Sequence, residues 1–494
     1  MNLIQSVDWV TIAPPTLVAV TAVAVLVADL FLPAARKGWL GAMTVAGLLL
    51  AGLALLPLRA GDRTSFCLPD DGGCGYAADT FALVVQLLVL AGALLTALFS
   101  QPVDRDLPQG EFWFLLLASA AGATLLPASR DLATLIIALE VTTLPAYALV
   151  ALRRGDGRGP ESALKFFLTS VTATAITLLG VSFVYAAAGS LHFSAIGTAL
   201  PAADDRLATL AQAGVALTLV GFAFKTAAVP FHFWVPDTYT GAPLPVAGYL
   251  SVVSKTAGLA GLILVTTLAF PGYGGLWGPV LAVLAALTMT AGNVAALRTD
   301  PAAPDSAIRL LAWSSVGQAG YLLVPLAAAA YGAQGAVGAA VAYALMYAAV
   351  NLGAFAVATH IARRHPGHRL TDYRGLYRRH PGAALALGFF LLCLAGLPPG
   401  VIGLFAKVAV FSAAVEAGLG ALAVVMALNV AIALFYYLRW TALLFERTDR
   451  DAPSGPPPAP APTVRLAIGL SALVALVLSV LPQLVLTLTS GTLL

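Results

Sequence analysis

Residues 222–258 read FAFKTAAVPFHFWVPDTYTGAPLPVAGYLSVVSKTAG. Two lysines, Lys225 and Lys255, stand in apolar surroundings, with Pro230, Pro236 and His232 between them. The apolar run around the first lysine extends over 207–238, which as one straight helix would be about 48 Å long. A bilayer core is only about 30 Å thick. The reading is a membrane-crossing helix that breaks near its prolines. Backbone exposed at such a break is tolerated only inside protein or beside water. A charged side chain at that depth costs roughly 2.5–3.5 kcal/mol on insertion scales, so each lysine is a functional candidate.

The rest of the chain agrees with a membrane setting. Its 494 residues are 60% hydrophobic and 10% charged, against about 25% charged in ordinary soluble domains. Mean hydropathy is +0.91 and the formal net charge +3, which excludes a soluble enzyme, a disordered chain and a nucleic-acid partner. Apolar runs fall at 13–33, 39–58, 79–100, 112–127, 131–152, 162–188, 207–238, 243–270, 276–297, 306–329, 334–362, 383–417, 418–444 and 463–490. They are continuous rather than alternating, so they predict an all-α integral membrane protein of about fourteen transmembrane helices, not a barrel.

Loop charge predicts orientation. Loops after odd-numbered spans hold Arg36, Lys37, Arg153, Arg154, Arg158 and six arginines between 363 and 379; loops after even-numbered spans hold Arg59, Arg63, Arg130 and Arg206. The positive-inside rule then puts the odd loops in the cytoplasm and both termini outside. Asp8 and the absence of a basic leading segment argue against a cleaved leader. Cys67 and Cys74 share an outer loop, where a disulfide is permitted but not shown by spacing. Pro453–Pro462 reads as an extended linker.

The chain has 21 arginines and only five lysines, and four of the five lysines lie in apolar runs. Arginine stays protonated, whereas a buried lysine can give up its proton. Glu140, in LIIALEVTTLPAYAL, is the clearest intramembrane acid and the natural counter-charge. Lys407 follows a second long run interrupted by GLPPG at 396–400. Two Pro-interrupted spans at corresponding places suggest two inverted five-helix repeats, spans 4–8 and 9–13, with breaks in spans 7 and 12. Lys165 lies near the start of span 6 and shares a face with Thr169 and Thr172. Ser314, Gln318 and Tyr321 form one polar stripe, and Tyr343, Tyr347 and Asn351 another. His360, His365, His368 and His380 are expected to be solvated.

ESALKFFLTS at 161–170, the stretch 222–258, LAWSSVGQAGYLL at 311–323 and GLPPGVIGLFAKVAVF at 396–411 together resemble the antiporter-like membrane subunits of respiratory complex I, a bacterial NADH–quinone oxidoreductase. YLSVVSKTAG, Lys407 and the absence of a long lateral helix after span 14 resemble the N-type branch. The resemblance covers about 10–490. It implies a proton-translocating subunit of the bacterial plasma membrane, a non-redox part of a translocase. Its proton pathway would run through Glu140, Lys225, Lys255 and Lys407, with Lys165 and His232 as further members. NADH, FMN, iron–sulfur clusters and quinone would belong to partner subunits. The neighbours implied are an M-type subunit on one side, small K/J/A-type subunits on the other, and lipid. The divisions expected are 1–110 for helices 1–3, 111–270 and 271–445 for the repeats, and 446–494 for the linker and last helix. The competing expectations are a subunit of a multisubunit cation/proton antiporter and a non-conducting scaffold.

Overall fold

The computed structural model describes residues 7–68, 73–101, 107–153, 155, 157–365, 367–447, 461–489 and 493. Arg154 and the expected linker up to residue 460 lie outside the described residues. Thirteen helices among the described residues are long and apolar enough to cross a membrane. They fall where the apolar runs predict: spans 1 to 5 are Ala13–Phe31, Gly38–Leu53, Thr80–Phe99, Gln109–Leu125 and Leu132–Ala151. Span 6 is Arg158–Ala188, span 8 Leu244–Ala269, span 9 Gly274–Leu297, span 10 Ser306–Ala329 and span 11 Ala336–Ala362. Spans 13 and 14 are Gly420–Phe445 and Pro462–Val480.

Spans 7 and 12 are each split in two. Span 7 runs Ala208–Lys225 (7a), opens, and resumes as Trp234–Gly241 (7b). Lys225 is the last residue of 7a, and Ala227 then adopts a left-handed φ of +62°. Span 12 runs Pro381–Ala395 (12a) and Ile402–Glu416 (12b), with Gly396 at φ +86° ending the first half. Two 15-residue helices, not one long one, therefore make the fourteenth crossing.

Glycine lets other elements approach both breaks. A Cβ on Gly258 of span 8 would lie 2.7 Å from Lys225 Cβ and 3.1 Å from its carbonyl carbon. A Cβ on Gly403 of 12b would lie 1.8 Å from the Cys393 carbonyl oxygen of 12a.

Burial orders the bundle. Spans 8, 10 and 11 are buried along 89%, 94% and 94% of their most apolar stretches, while spans 1 and 14 are buried along 28%. A helix apolar all round belongs in the core or the membrane, and the three central spans also bury Ser251, Lys255, Ser314, Ser315, Gln318 and Asn351. They form the axis of the molecule.

Three features depart from the sequence expectation. Span 14 ends at Val480, and Pro482 leads into a short helix, Gln483–Thr489. Span 6 begins four residues early, because Pro160 sits in its first turn, where the missing N–H costs nothing. The second loop is an antiparallel hairpin of Arg63–Cys67 (β1) and Cys74–Ala78 (β2), closed by a Cys67–Cys74 disulfide. The hairpin is tied to the next even loop, since Arg130 N–H donates to Gly75 O at 2.9 Å and Arg130 pairs with Asp79.

Candidate functional site

Span 5 brings Glu140 and Thr143 one turn apart, and span 6 brings Ser170 and Thr174 one turn apart. The two ladders face each other and the end of 7a. Thr174 Oγ1 donates to Glu140 Oε1 at 2.7 Å. Lys225 Nζ donates to Ser170 Oγ and to Thr143 Oγ1, each at 2.7 Å. Thr143 donates its own hydrogen to the Leu139 carbonyl, which fixes it as an acceptor for the amine. Glu140 and Lys225 make no ion pair; a hydroxyl stands on each of them, one helical turn apart on span 6. Lys225 is 2% exposed, whereas Glu140 is half-buried beside the exposed apolar strip Ile137, Val141 and Leu144.

Lys255 follows a π-helical stretch, Leu250–Ser254, within span 8. A π turn re-aims the side chains after it and recurs at functional positions. The Lys255 amine, 3% exposed, donates to the Ser315 carbonyl at 2.7 Å and to Ser315 Oγ at 2.6 Å. Tyr347 Oη donates to the same Ser315 Oγ at 3.1 Å. One turn before Lys255, Ser251 accepts from Asn351 Nδ2 at 2.7 Å.

Lys407 rises from 12b and donates to the Leu394 and Ala395 carbonyls at the end of 12a, both at 2.8 Å. Those carbonyls have no helical partner, and the helix dipole puts partial negative charge there. The amine is 5% exposed. Beside it is a cavity of about 20 Å³, lined by Gln318, Tyr343, Tyr347, Cys393 and Lys407 among others. That is room for one water molecule with several polar partners. Tyr347 thus lines the Lys407 cavity and also touches the serine that holds Lys255. Tyr343 donates to Gln318, Gln318 Nε2 donates to Tyr437 Oη at 3.2 Å, and Tyr437 shares a hydrogen with Ser314 at 2.5 Å.

Lys225, Lys255 and Lys407 therefore all lie in the buried interior, and Glu140 lies half-buried at its edge. Lys165 does not join them. Lys165 is half-exposed and pairs with Glu161 at 2.9 Å and with Asp237 at 3.1 Å, clamping span 6 to 7b. His232 sits in the span 7 break with its ring 5.6 Å from that of Trp313 and its Nδ1 unpartnered. Thr169 and Thr172 bond back to their own helix and face outward. The polar stripe expected on Ser314 reaches Lys255 through Ser315 instead, one residue farther round the helix. The expectation that His360 is solvated is corrected: it is 8% exposed, packed edge-on against His380.

Sequence reasoning missed Thr143, Ser170, Thr174 and Ser315. Their signal is their phase: each lies on the face of its helix that an intramembrane charge must use.

Comparison with known proteins identifies the family. The family profile described as NADH:quinone oxidoreductase/Mrp antiporter, TM, matches residues 129–433. The NADH-quinone oxidoreductase subunit N 2 of Streptomyces griseus subsp. griseus is 65% identical, over 99% of this chain and 94% of that one. The chain belongs to the NADH-quinone oxidoreductase subunit N family. This chain shares its fold with a chain of respiratory complex I from Thermus thermophilus with bound aureothin. That chain is 31% identical, with 97% of this chain and 100% of that one covered and a TM-score of 0.76. A chain of the Mrp complex from Dietzia sp. DQ12-45-1b, 22% identical, shows the fold alone, with a TM-score of 0.83 over 97% and 96% of the two chains. The chain is thus a multi-pass bacterial membrane protein and one subunit of a multisubunit NADH:quinone oxidoreductase. The segment matched by the NADH:quinone oxidoreductase/Mrp antiporter profile contains Glu140, Lys225, Lys255 and Lys407.

Proposed function

We propose that this subunit moves protons along Glu140, Ser170, Lys225, Lys255, Ser315, Tyr347 and Lys407, driven by redox chemistry in partner subunits. The observation that carries the reading is the pair of acceptors on each buried amine. A neutral amine has two hydrogens and one lone pair. Two acceptors satisfy the two hydrogens and leave the lone pair free to take a third. Each lysine is therefore held in a geometry that serves it with or without its extra proton.

An ionised Glu140 stabilises charge on Lys225 through the hydroxyls between them. When a neighbouring subunit screens or withdraws that carboxylate, Lys225 releases its proton toward Lys255 and Lys407. The groups titrate as one coupled chain. Moving one charge against 100 mV takes about 2.3 kcal/mol, and fields of one charge a few ångströms away in protein are of that size. Glu140 lies at the rim of the molecule beside an exposed apolar strip, which suits contact with a partner helix.

In this reading the Arg-rich loops face the cytoplasm and both termini lie outside. Spans 4–8 and 9–13 act as two inverted repeats, within the divisions 1–110, 111–270, 271–445 and 446–494. An M-type subunit and the small K/J/A-type subunits flank the chain, and flavin, iron–sulfur clusters and quinone are bound by partners. Lys165 clamps span 6 to 7b from outside the path, and His232 in the span 7 break is a further member of it.

The test is proton pumping per NADH oxidised in membranes carrying Lys225→Ala or Glu140→Gln, with assembly of the complex confirmed first. The expected result is fewer protons per NADH in both variants. Unchanged pumping marks a silent scaffold, and sodium-dependent flux marks a cation/proton antiporter; either outcome overturns the reading.

A further inference from the structure

The Arg-rich end holds a second cluster of titratable side chains that the proton path does not use. His360 lies near the end of span 11, and Arg364 and His365 follow it. A short helix, Leu376–Arg379, and then His380 return over them before 12a begins at Pro381. His360, Arg364, His365, Arg379 and His380 line a cavity of about 20 Å³ together with Ile361 and Leu376. His360 is 8% exposed, its ring lies 5.3 Å from that of His380, and its buried Nε2 has no hydrogen-bond partner. Buried polar atoms are almost always partnered, so His360 Nε2 calls for a water or a ligand oxygen in the cavity it faces.

The lining is of one sign. No Asp or Glu is among the lining residues, and none of the ion pairs found among the described residues engages Arg364 or Arg379. Arg379 donates instead to the Arg374 carbonyl at 2.7 Å. Burial pushes the His380 imidazole below the usual histidine range, and the charges of Arg364, Arg379 and His365 push it further. The field in the pocket is positive.

The height of the pocket is marked by aromatic residues. Tyr377 on the same short helix is 45% exposed and packs 5.3 Å from Phe445, which is 48% exposed at the end of span 13. Exposed aromatics at span ends sit at the headgroup level of a bilayer.

We propose that a phosphate-bearing anion binds at the mouth of this pocket, with Arg364 and Arg379 on its outer oxygens and a single oxygen entering the water-sized cavity to accept from His360 Nε2–H. Guanidinium groups match phosphate oxygens with paired hydrogen bonds. At this height the headgroup of an anionic lipid is the nearest source of such a group, and free phosphate is the other. The bound anion bridges the end of span 11 to the start of 12a, and so steadies the half-helix whose far end holds Lys407.

The test uses the full chain in three nanodisc preparations: phosphatidylcholine, phosphatidylcholine with phosphatidylglycerol, and phosphatidylcholine with millimolar inorganic phosphate. Thermal unfolding midpoints and lipid retention by native mass spectrometry are the readouts. Phosphatidylglycerol is expected to raise the midpoint of the unaltered chain. Arg364→Gln with Arg379→Gln is expected to weaken that response about ten-fold or more, the loss of at least one charged hydrogen bond. Arg36→Gln, in another loop, keeps the response. If the double variant does not fold, His360→Gln replaces it, with the same expected direction. An equal response to inorganic phosphate, lost in the same variants, supports the site with free anion as its occupant. A response that survives both sets of substitutions, or no response to either anion, overturns the proposal.

Discussion

The two helix breaks hold their lysines in opposite ways. At the first, Lys225 belongs to the half-helix that ends, and its amine turns to two side-chain hydroxyls on neighbouring spans. At the second, Lys407 belongs to the half-helix that resumes, and its amine turns to two backbone carbonyls of the one that ended. Hydroxyls both accept and donate, whereas carbonyls only accept. Lys255, between them, has one of each, both from Ser315. Thr174 holds the Glu140 carboxylate one helical turn from the serine on the first amine, and among the described residues no carboxylate is paired with the last. The first break is built as a switch that an outside charge can set. The second is built as a holding site on a helix dipole, which can hand its proton only to the cavity side.

The sharpest way to break the comparison is through the glycines that let each break close. Gly403→Ala places a methyl group against a backbone carbonyl 1.8 Å away, and neither backbone can yield cheaply. The chain is expected to lose its folded state or several tens of per cent of its assembled yield. Gly258→Ala meets Lys225 Cβ at 2.7 Å and is expected to cost about 1–3 kcal/mol, as overpacking does. Thermal unfolding in detergent, read side by side, checks the order. Equal tolerance at both sites would mean that 12b is not closed onto the Cys393 carbonyl of 12a.

Next in size is the hydroxyl that distinguishes the first break. Ser170→Ala removes an acceptor from Lys225 one helical turn from the hydroxyl on Glu140, and proton transfer is expected to fall about ten-fold or more. Thr169→Val, one position away but turned outward, should leave pumping unchanged, which separates relay from helix packing. Proton release per NADH in assembled membranes is the measurement.

The smallest effect is expected at the joint between the middle and last lysines. Tyr347→Phe removes the hydroxyl that joins Ser315 to the Lys407 cavity but leaves Lys255 on Ser315. A loss of one neutral hydrogen bond, about 0.5–1.5 kcal/mol, predicts a two- to ten-fold slowing of transfer. No slowing would place the route between Lys255 and Lys407 elsewhere.

Much of this was legible before any coordinates. A lysine or glutamate inside an apolar run is expensive, so Glu140, Lys225, Lys255 and Lys407 stand out by cost alone. Prolines within overlong runs disclosed both breaks. Serine and threonine did not stand out, because membrane helices tolerate them and most bond back to their own carbonyls, as Thr169 and Thr172 do. Whether a hydroxyl faces a lysine depends on helix rotation, which packing decides; a rotation of one residue separates Ser314 from Ser315. The hairpin at Arg63–Ala78 went unread for a different reason, since two five-residue strands leave little periodicity to find. His360 was misjudged because a basic loop reads as solvated until the chain is seen to fold back over it.

A density map of the assembled protein, at a resolution that shows ordered water, bears most directly on whether these amines form one connected path. The account expects the Lys225, Lys255 and Lys407 amines to point inward, with a water peak in the cavity between Tyr347 and Lys407, within hydrogen-bond distance of both. Amines turned out to lipid headgroups or bulk solvent, around a dry or collapsed cavity, would contradict it.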